Sequence, residues 1–197
     1  MSKIAIIVVT YLRENSLKRL LNSLLNVDYL GDSVDLIISI DYSGNESIKN
    51  IATNFNWPFG EKKTISHSEK LGLRAHILKC GDFTNQYSHV CIIEDDLFVS
   101  PGLYNFAKQA SDYYENDEMV AGISLYTHLY NHIANRPFYP IDDGFDVFFY
   151  NKPNHGDNCG RQKNGQNFVS GMIKIRIWIL RVMIFRKKFL VGHQVLG

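Results

Sequence analysis

Three consecutive carboxylates, Glu94, Asp95 and Asp96, directly follow the apolar run Val90–Ile93. Like charges packed this closely repel one another beside a core, so this acidic segment (Glu94–Asp96) predicts a neutralising partner. A divalent cation is the simplest such partner, because Mg²⁺ and Mn²⁺ prefer hard oxygen ligands and usually share them with substrate phosphates. The alternative is an acidic turn on the protein surface, which needs no ligand.

Further polar side chains follow two other apolar runs. Thr10, Tyr11 and Arg13 come directly after residues 4–9, and Asp41 closes residues 34–40. Arg13, close to the start of a predicted helix, suits a contact with a diphosphate or a ribose. The alternative is a solvated arginine. A carboxylate at the position of Asp41 can accept hydrogen bonds from a ribose or a base, although it could equally form the turn that follows.

Other candidate ligands have weaker support. Arg74 could place a second positive charge next to a phosphate. The alternative interpretation is that Arg74 is an ordinary surface arginine. The spacing of His128 and His132 would suit a metal on one face of a helix. No acidic residue lies on that turn, however, so core or solvent roles are favoured for both histidines.

The elements that must position these residues alternate along the chain up to about residue 150. Helical spacing of leucines predicts a first helix over residues 14–26, capped by Asn15 or Ser16. An α/β fold is therefore predicted, with a mostly parallel sheet flanked by helices and ligands bound at the carboxyl ends of the strands. Strands are predicted over residues 4–9, 34–40, 64–67, 90–93 and 119–124, and helices over 14–26, 47–55 and 101–115. Residues 71–80 are predicted to form a helix or a turn that leads into one.

Composition narrows the function classes. A chain of 197 residues fits one domain, and a net charge of +1 gives no global field for binding nucleic acid. Three cysteines without metal-ligand spacing, and no signal peptide at the start of the sequence, predict a reducing, cytoplasmic setting. Contact with a membrane is compatible with the sequence but not required by it.

Three segments together resemble a GT-A glycosyltransferase of the family 2 kind, namely Ile4–Arg13, Leu17–Leu24 and Ser39–Gly44. A fourth, Ile93–Tyr104, is similar to the Glu-Asp-Asp segment of the eukaryotic N-acetylglucosaminyltransferase I group. In that group the segment replaces the usual Asp-x-Asp metal motif. The resemblance covers about residues 3–150.

This resemblance implies a nucleotide-sugar donor, with UDP favoured, and Mn²⁺ or Mg²⁺ on its diphosphate. It implies transfer, with inversion, to a hydroxyl of a glycan or other acceptor, as in the assembly of a bacterial surface polysaccharide. Asp96 would be the metal ligand, Asp95 would face the donor sugar or ribose, and Glu94 would orient the nucleotide. The resemblance assigns the framing of base and ribose to Thr10, Tyr11, Arg13 and Asp41. It assigns no catalytic base; the nearby carboxylates are Asp142, Asp143 and Asp146.

The chain departs from this pattern after Pro153, where a Trp-Gly-Gln type segment is expected. We therefore divide it into a nucleotide-sugar-binding domain, residues 1–153, and an aberrant, poorly ordered tail, residues 154–197. The tail is interpreted as a frameshift product that leaves the fold without its acceptor-side portion. In the frame shifted by one base, Met172–Ile173, Trp178–Ile179 and Met183–Ile184 each encode aspartate, because G is followed by AT. Allowed synonyms elsewhere give an open frame that begins with Trp-Gly-Gln at codon 155.

Other interpretations of the tail and of the function stay open. Lys174, Arg176 and Arg181 interrupt the tail too often for a transmembrane span, but an interfacial segment or a strand would fit its alternation. The domain could instead be a non-catalytic nucleotide- or sugar-binding remnant. A nucleotidyltransferase is disfavoured because the segment Thr10–Asn15 lacks the glycines of a phosphate-binding loop.

Overall fold

The apolar runs of the sequence form the strands of a parallel sheet. The computed structural model describes residues 4–117, 120, 122–125, 130–131 and 135–139, together with the backbone of residues 177–180. In chain order the elements are β1 Ile4–Thr10, α1 Glu14–Leu24, β2 Asp35–Ile40, α2 Glu46–Asn54, β3 Lys62–Ser66, α3 Leu73–Gly81, a 3₁₀ turn Asp82–Asn85, β4 His89–Glu94, α4 Leu103–Tyr113, β5 Tyr130–Asn131, β6 Arg136–Pro137 and β7 Ile177–Leu180.

The main sheet has the strand order β3-β2-β1-β4-β7, and every neighbouring pair in it is parallel. The register sets Thr10 beside Ile40 and Val9 beside Glu94. The strands β1, β2 and β4 therefore end at the same level, which brings the residues that follow them together. The predicted α/β fold, a mostly parallel sheet flanked by helices, is confirmed.

Both faces of the sheet are buried, which explains why its strands are continuous apolar runs rather than alternating ones. On one face α1 contributes Leu17, Leu20, Leu21 and Leu24 to a core shared with α2 and α4. On the other face α3 packs Ile77 and Cys80 against Ile7, Ile37 and Ile92. The first and third helices thus lie on opposite sides of the strands that lead into the site.

Several local predictions need correction. Helix α1 begins at Glu14, and its N-cap is Arg13 without a side-chain hydrogen bond, so capping by Asn15 or Ser16 is wrong. Arg13 instead directs its side chain across the sheet edge, as described below. The strand predicted over residues 119–124 is also wrong for the described residues 120 and 122–124, none of which lies in a strand.

Most of the tail lies outside the described residues, as do His128, His132, Asp142, Asp143 and Asp146. The four tail residues whose backbone is described form β7, in agreement with the strand alternative, and pair Ile177 with Val90. The domain boundary at residue 153 and the frameshift stay predictions. No helix in the described parts of the chain is long and apolar enough to span a membrane.

Among the glycines in the described part of the chain, Gly60 is expected to tolerate a side chain least. A Cβ there would lie 2.3 Å from the carbonyl oxygen of Val34, a backbone atom just before β2. We expect Gly60→Ala to lower the free energy of unfolding by about 1–3 kcal/mol, because the backbone must shift. Urea unfolding measures this, with Gly102→Ala as the control. A Cβ at Gly102 meets nothing closer than 3.9 Å, so a similar loss in both variants would contradict the prediction.

Candidate functional site

The ends of β1, β2 and β4 form one continuous edge, which we call the carboxyl edge (Thr10–Arg13, Asp41–Ser43 and Glu94–Asp96). Two main-chain hydrogen bonds extend the sheet into it. The amide of Asp41 donates to the carbonyl of Thr10 at 3.0 Å, and that of Asp95 donates to the carbonyl of Val9 at 3.1 Å. The three polar segments found in the sequence are therefore brought together by the fold.

Asp95 is the buried member of the acidic segment, with 7% of its surface exposed. Its Oδ2 accepts the hydroxyl of Thr10 at 2.7 Å and the amide of Tyr11 at 3.4 Å. Burial raises the pKa of Asp95, and the Thr10 and Tyr11 donors offset this only in part. Oδ2 thus fastens the end of β4 to the end of β1, and Oδ1 lies 3.8 Å from Nη1 of Arg13, beyond hydrogen-bonding distance.

Asp96 is the half-exposed member, and its charge is already paired. Nη1 of Arg13 donates to Oδ2 of Asp96 at 2.6 Å and lies 3.8 Å from Oδ1 of Asp95. Nη2 of Arg19, on α1, donates to the main-chain oxygen of Asp96 at 2.8 Å. Arg13 supplies one of the positive charges that the sequence led us to expect from a metal ion, so the electrostatic case for a cation is weaker than the sequence suggested.

One oxygen of Asp96 has no such partner. Oδ1 is buried and makes no hydrogen bond within the described part of the chain. An orphaned carboxylate oxygen is costly unless something else uses it, so it fits a hard cation. No three Asp, Glu, His or Cys side chains converge to hold a metal among the described residues. The site therefore suits Mg²⁺ or Mn²⁺ only as an ion held by few protein ligands, with water or substrate phosphates completing its shell.

Asp41 accepts hydrogen bonds from the chain that follows β2 and from the loop before α3. Its Oδ1 accepts the amides of Tyr42 at 2.9 Å and Leu71 at 2.8 Å, and its Oδ2 accepts that of Gly72 at 2.9 Å. Burial works to raise the pKa of Asp41, but these backbone donors outweigh it and hold the pKa below its usual value. Asp41 therefore positions the loop before α3 (residues 67–72).

We expect Asp41→Ala to lower the free energy of unfolding by about 1–3 kcal/mol, because the amides of Leu71 and Gly72 lose their acceptor. Urea unfolding gives the total loss, and faster amide hydrogen exchange at Leu71 and Gly72 locates it. Asp41→Asn keeps one acceptor oxygen, so its loss should be smaller. Unchanged exchange at both amides in Asp41→Ala would contradict this role.

The remaining predicted site residues also lie at this end of the sheet. Glu94 is the half-buried last residue of β4, and Arg74 is exposed in the first turn of α3. Tyr11 is half-buried, and Nζ of Lys70 lies 5.0 Å from its ring centroid. The loop held by Asp41 thus brings a cation back to β1, a contact that the sequence did not suggest.

A buried polar cluster behind the carboxyl edge also escaped the sequence analysis. Oγ of Ser39 lies 2.7 Å from Nε2 of His76 and 3.2 Å from Nε2 of His67. Burial, with the neighbouring His67, lowers the pKa of His76 to about 4. The only sequence signal was a serine inside the apolar strand β2, since a polar residue there needs a partner.

A cavity of about 680 Å³ lies at the opposite edge of the sheet, between the loops that follow α1 and α2. Asp28 and Asp32 are among its lining residues, and none of the predicted site residues is. The cavity is therefore not the place where the three polar segments meet.

The chain matches the model of one known protein family. The family model described as "Glycosyl transferase family 2" matches residues 5–170. Two similar solved structures are Staphylococcus aureus TarS 1–349, alone and in complex with UDP-GlcNAc, each 17% identical with a TM-score of 0.46. They match 64% of this chain, which covers only 36% and 35% of theirs, so this chain spans about a third of their length. No curated protein sequence matches.

Proposed function

Because the chain belongs to glycosyl transferase family 2, we propose that its carboxyl edge binds a nucleotide-sugar and directs transfer of the sugar to an acceptor hydroxyl. The observation that carries this proposal is the convergence of Thr10, Asp41 and the acidic segment at one edge of a parallel sheet. Open α/β sheets bind ligands outside the carboxyl ends of their strands.

The residues divide into those that frame the nucleoside and those that face the diphosphate. Asp41, Thr10 and Tyr11 frame the base and ribose, where Asp41 can still accept hydrogen bonds through its remaining lone pairs. Asp95 offers Oδ1 to the donor sugar or ribose, since its Oδ2 is held by Thr10. Glu94, at the end of β4, orients the nucleotide.

The diphosphate would lie against Asp96, Arg13 and Arg74. Asp96 would hold Mn²⁺ or Mg²⁺ there, and the bound ion would stabilise the negative charge that develops on the departing diphosphate. Arg13 is the N-cap of α1, and Arg74 lies in the first turn of α3, whose N-cap Gly72 is bonded to Asp41, so both helices begin at the carboxyl edge. Positive charge and backbone N–H groups at these starts favour an anion.

The finer parts of the proposal concern substrates and stereochemistry. UDP is the favoured nucleotide, transfer inverts the anomeric carbon, and the acceptor is a hydroxyl of a glycan such as a bacterial surface polysaccharide. Inversion requires a general base beside that hydroxyl. The carboxylates considered for it, Asp142, Asp143 and Asp146, lie outside the described residues.

Calorimetry with UDP, in the presence and absence of Mn²⁺, tests the donor site, and assays of donor hydrolysis and transfer with a panel of nucleotide-sugars test the reaction. We expect UDP binding that is strengthened by Mn²⁺. No UDP binding under either condition would contradict the proposal.

The second candidate is a nucleotide- or sugar-binding remnant that does not transfer sugar. The change in sequence character after Pro153, where a Trp-Gly-Gln type segment is expected, favours it. UDP binding without hydrolysis or transfer of any donor in the panel would support this alternative. Sequencing the gene across codons 150–160 tests the frameshift, because the frameshift requires a one-base slip within them.

A further inference from the structure

We propose that Arg13 acts as an internal counter-ion, which occupies Asp96 in the unloaded protein and must leave this carboxylate before a divalent cation binds there. The inference rests on the proposed function, since it concerns the order of events at the same site. The new element is competition between the Arg13 side chain and the metal ion for Asp96. The acidic segment alone does not imply this competition.

The two oxygens of Asp96 differ in access. Oδ1 has no partner among the described residues, but it is buried, so a cation arriving from solvent does not meet it first. Oδ2, the second oxygen of this partly exposed side chain, is bound by Nη1 of Arg13 at 2.6 Å. One oxygen of Asp96 is thus closed to solvent, and the other is occupied by Arg13. Metal binding at Asp96 therefore requires Arg13 to move.

Arg13 is able to move at little cost. Its side chain is 61% exposed, and an ion pair this open to water contributes little to stability. Asp96 keeps its place without Arg13, because Arg19 holds its main-chain oxygen from α1. Once released, the guanidinium at the start of α1 can donate paired N–H groups to the donor phosphates.

This competition gives Arg13 opposite effects on two ligands. Without nucleotide, Arg13 hinders Mn²⁺, so calorimetry should show Arg13→Gln binding Mn²⁺ about three- to tenfold more tightly than the wild type. With saturating Mn²⁺, Arg13 assists the diphosphate, so the same variant should bind UDP about three- to tenfold more weakly. The gain in Mn²⁺ affinity should shrink in high salt, because salt screens the exposed guanidinium.

Two matched variants separate this role from a general loss of charge. Arg13→Lys keeps the positive charge near Asp96, so its Mn²⁺ affinity should stay close to the lower affinity of the wild type. Arg19→Gln removes one charge and one contact with Asp96, but its contact is with the main chain rather than the carboxylate. Its effect on Mn²⁺ affinity should be smaller than that of Arg13→Gln.

The outcomes distinguish this inference from the function on which it rests. Equal Mn²⁺ affinity in the wild type and Arg13→Gln, with binding lost in Asp96→Asn, would overturn the counter-ion role and leave the metal site intact. Mn²⁺ binding that survives in Asp96→Asn would instead overturn the assignment of the metal to Asp96. No Mn²⁺ binding to either the wild type or Arg13→Gln overturns the counter-ion role as well.

Discussion

Asp96→Ala is expected to abolish the Mn²⁺-dependent part of nucleotide binding and to slow any sugar transfer about a hundredfold or more. Asp96 combines a buried carboxylate oxygen that has no hydrogen-bond partner in the described part of the chain with a side chain that is about a third exposed. Asp95 is buried and bound to Thr10, so it cannot replace it. A thermal-shift titration with UDP and Mn²⁺, followed by calorimetry, measures the loss.

The same substitution should leave the melting temperature without ligand unchanged, or raise it slightly. The pair that it removes, between Arg13 and Asp96, is exposed on the arginine side and therefore adds little stability. The substitution also removes a buried oxygen that has no hydrogen-bond partner in the described structure. If Asp96→Ala loses Mn²⁺-dependent nucleotide binding but keeps its melting temperature, Asp96 serves binding rather than stability.

Glu69→Ala is the matched control, because it removes an exposed carboxylate from the loop before α3 at the same end of the sheet. It should keep the full Mn²⁺ response. If Asp96→Ala responded to Mn²⁺ and UDP as the wild type does, the metal assignment would be wrong even with the fold and family unchanged. A response lost equally in both variants would point instead to the overall negative charge of the edge.

The fold was predictable because its signals are local in the sequence. Continuous apolar runs predicted strands covered on both faces, and the leucine spacing of residues 17–24 predicted α1. Parallel strands end on one side, so the meeting of Thr10, Asp41 and the acidic segment followed from topology alone. Element ends were less predictable, as at α1, where Arg13 rather than Asn15 or Ser16 precedes the first turn.

The partners of the site residues were not predictable, because they are set by tertiary contacts. Arg13 and Asp96 are 83 positions apart, and Asp41 meets the amide of Leu71 from 30 positions away. The sequence around Asp96 does not indicate that Arg13 pairs with it. The sequence around Asp41 does not indicate that it holds the loop before α3. The sequence therefore identified the residues at the edge, but it could not say which of their oxygens were already used.

Acid should destabilise this protein well before its carboxylates are protonated, and His76 is expected to be the main cause. Its ring is buried against Ser39, and burial together with His67 lowers its pKa from 6.5 to about 4. His76 is therefore protonated near pH 6.5 in the unfolded chain, but only near pH 4 in the folded protein. The free energy of unfolding is unaffected above about pH 6.5, falls as the pH drops from 6.5 to about 4, and levels off below pH 4.

Urea unfolding at pH 7 and pH 5 measures this effect, which should amount to about 2 kcal/mol of lost unfolding free energy from His76 alone. His76→Gln keeps a hydrogen-bonding partner for Ser39 but cannot be protonated, so the loss between the two pH values should shrink by that amount. His67→Gln should reduce the loss by less than His76→Gln does. Burial lowers the pKa of His67 as well, but this ring, 3.2 Å from the same hydroxyl, is only half-buried.

Asp41 and Lys79 act on the His76 ring in opposite directions, because Asp41 favours its protonated form and Lys79 opposes it. The backbone donors hold the pKa of Asp41 below its usual value, so this carboxylate does not change its charge between pH 7 and pH 5. The thiol of Cys80 stays neutral throughout, because burial raises its pKa to about 11. An unchanged pH dependence in His76→Gln would show that the ring is protonated in the folded protein, and that the Ser39 cluster opens to water more readily than its burial indicates.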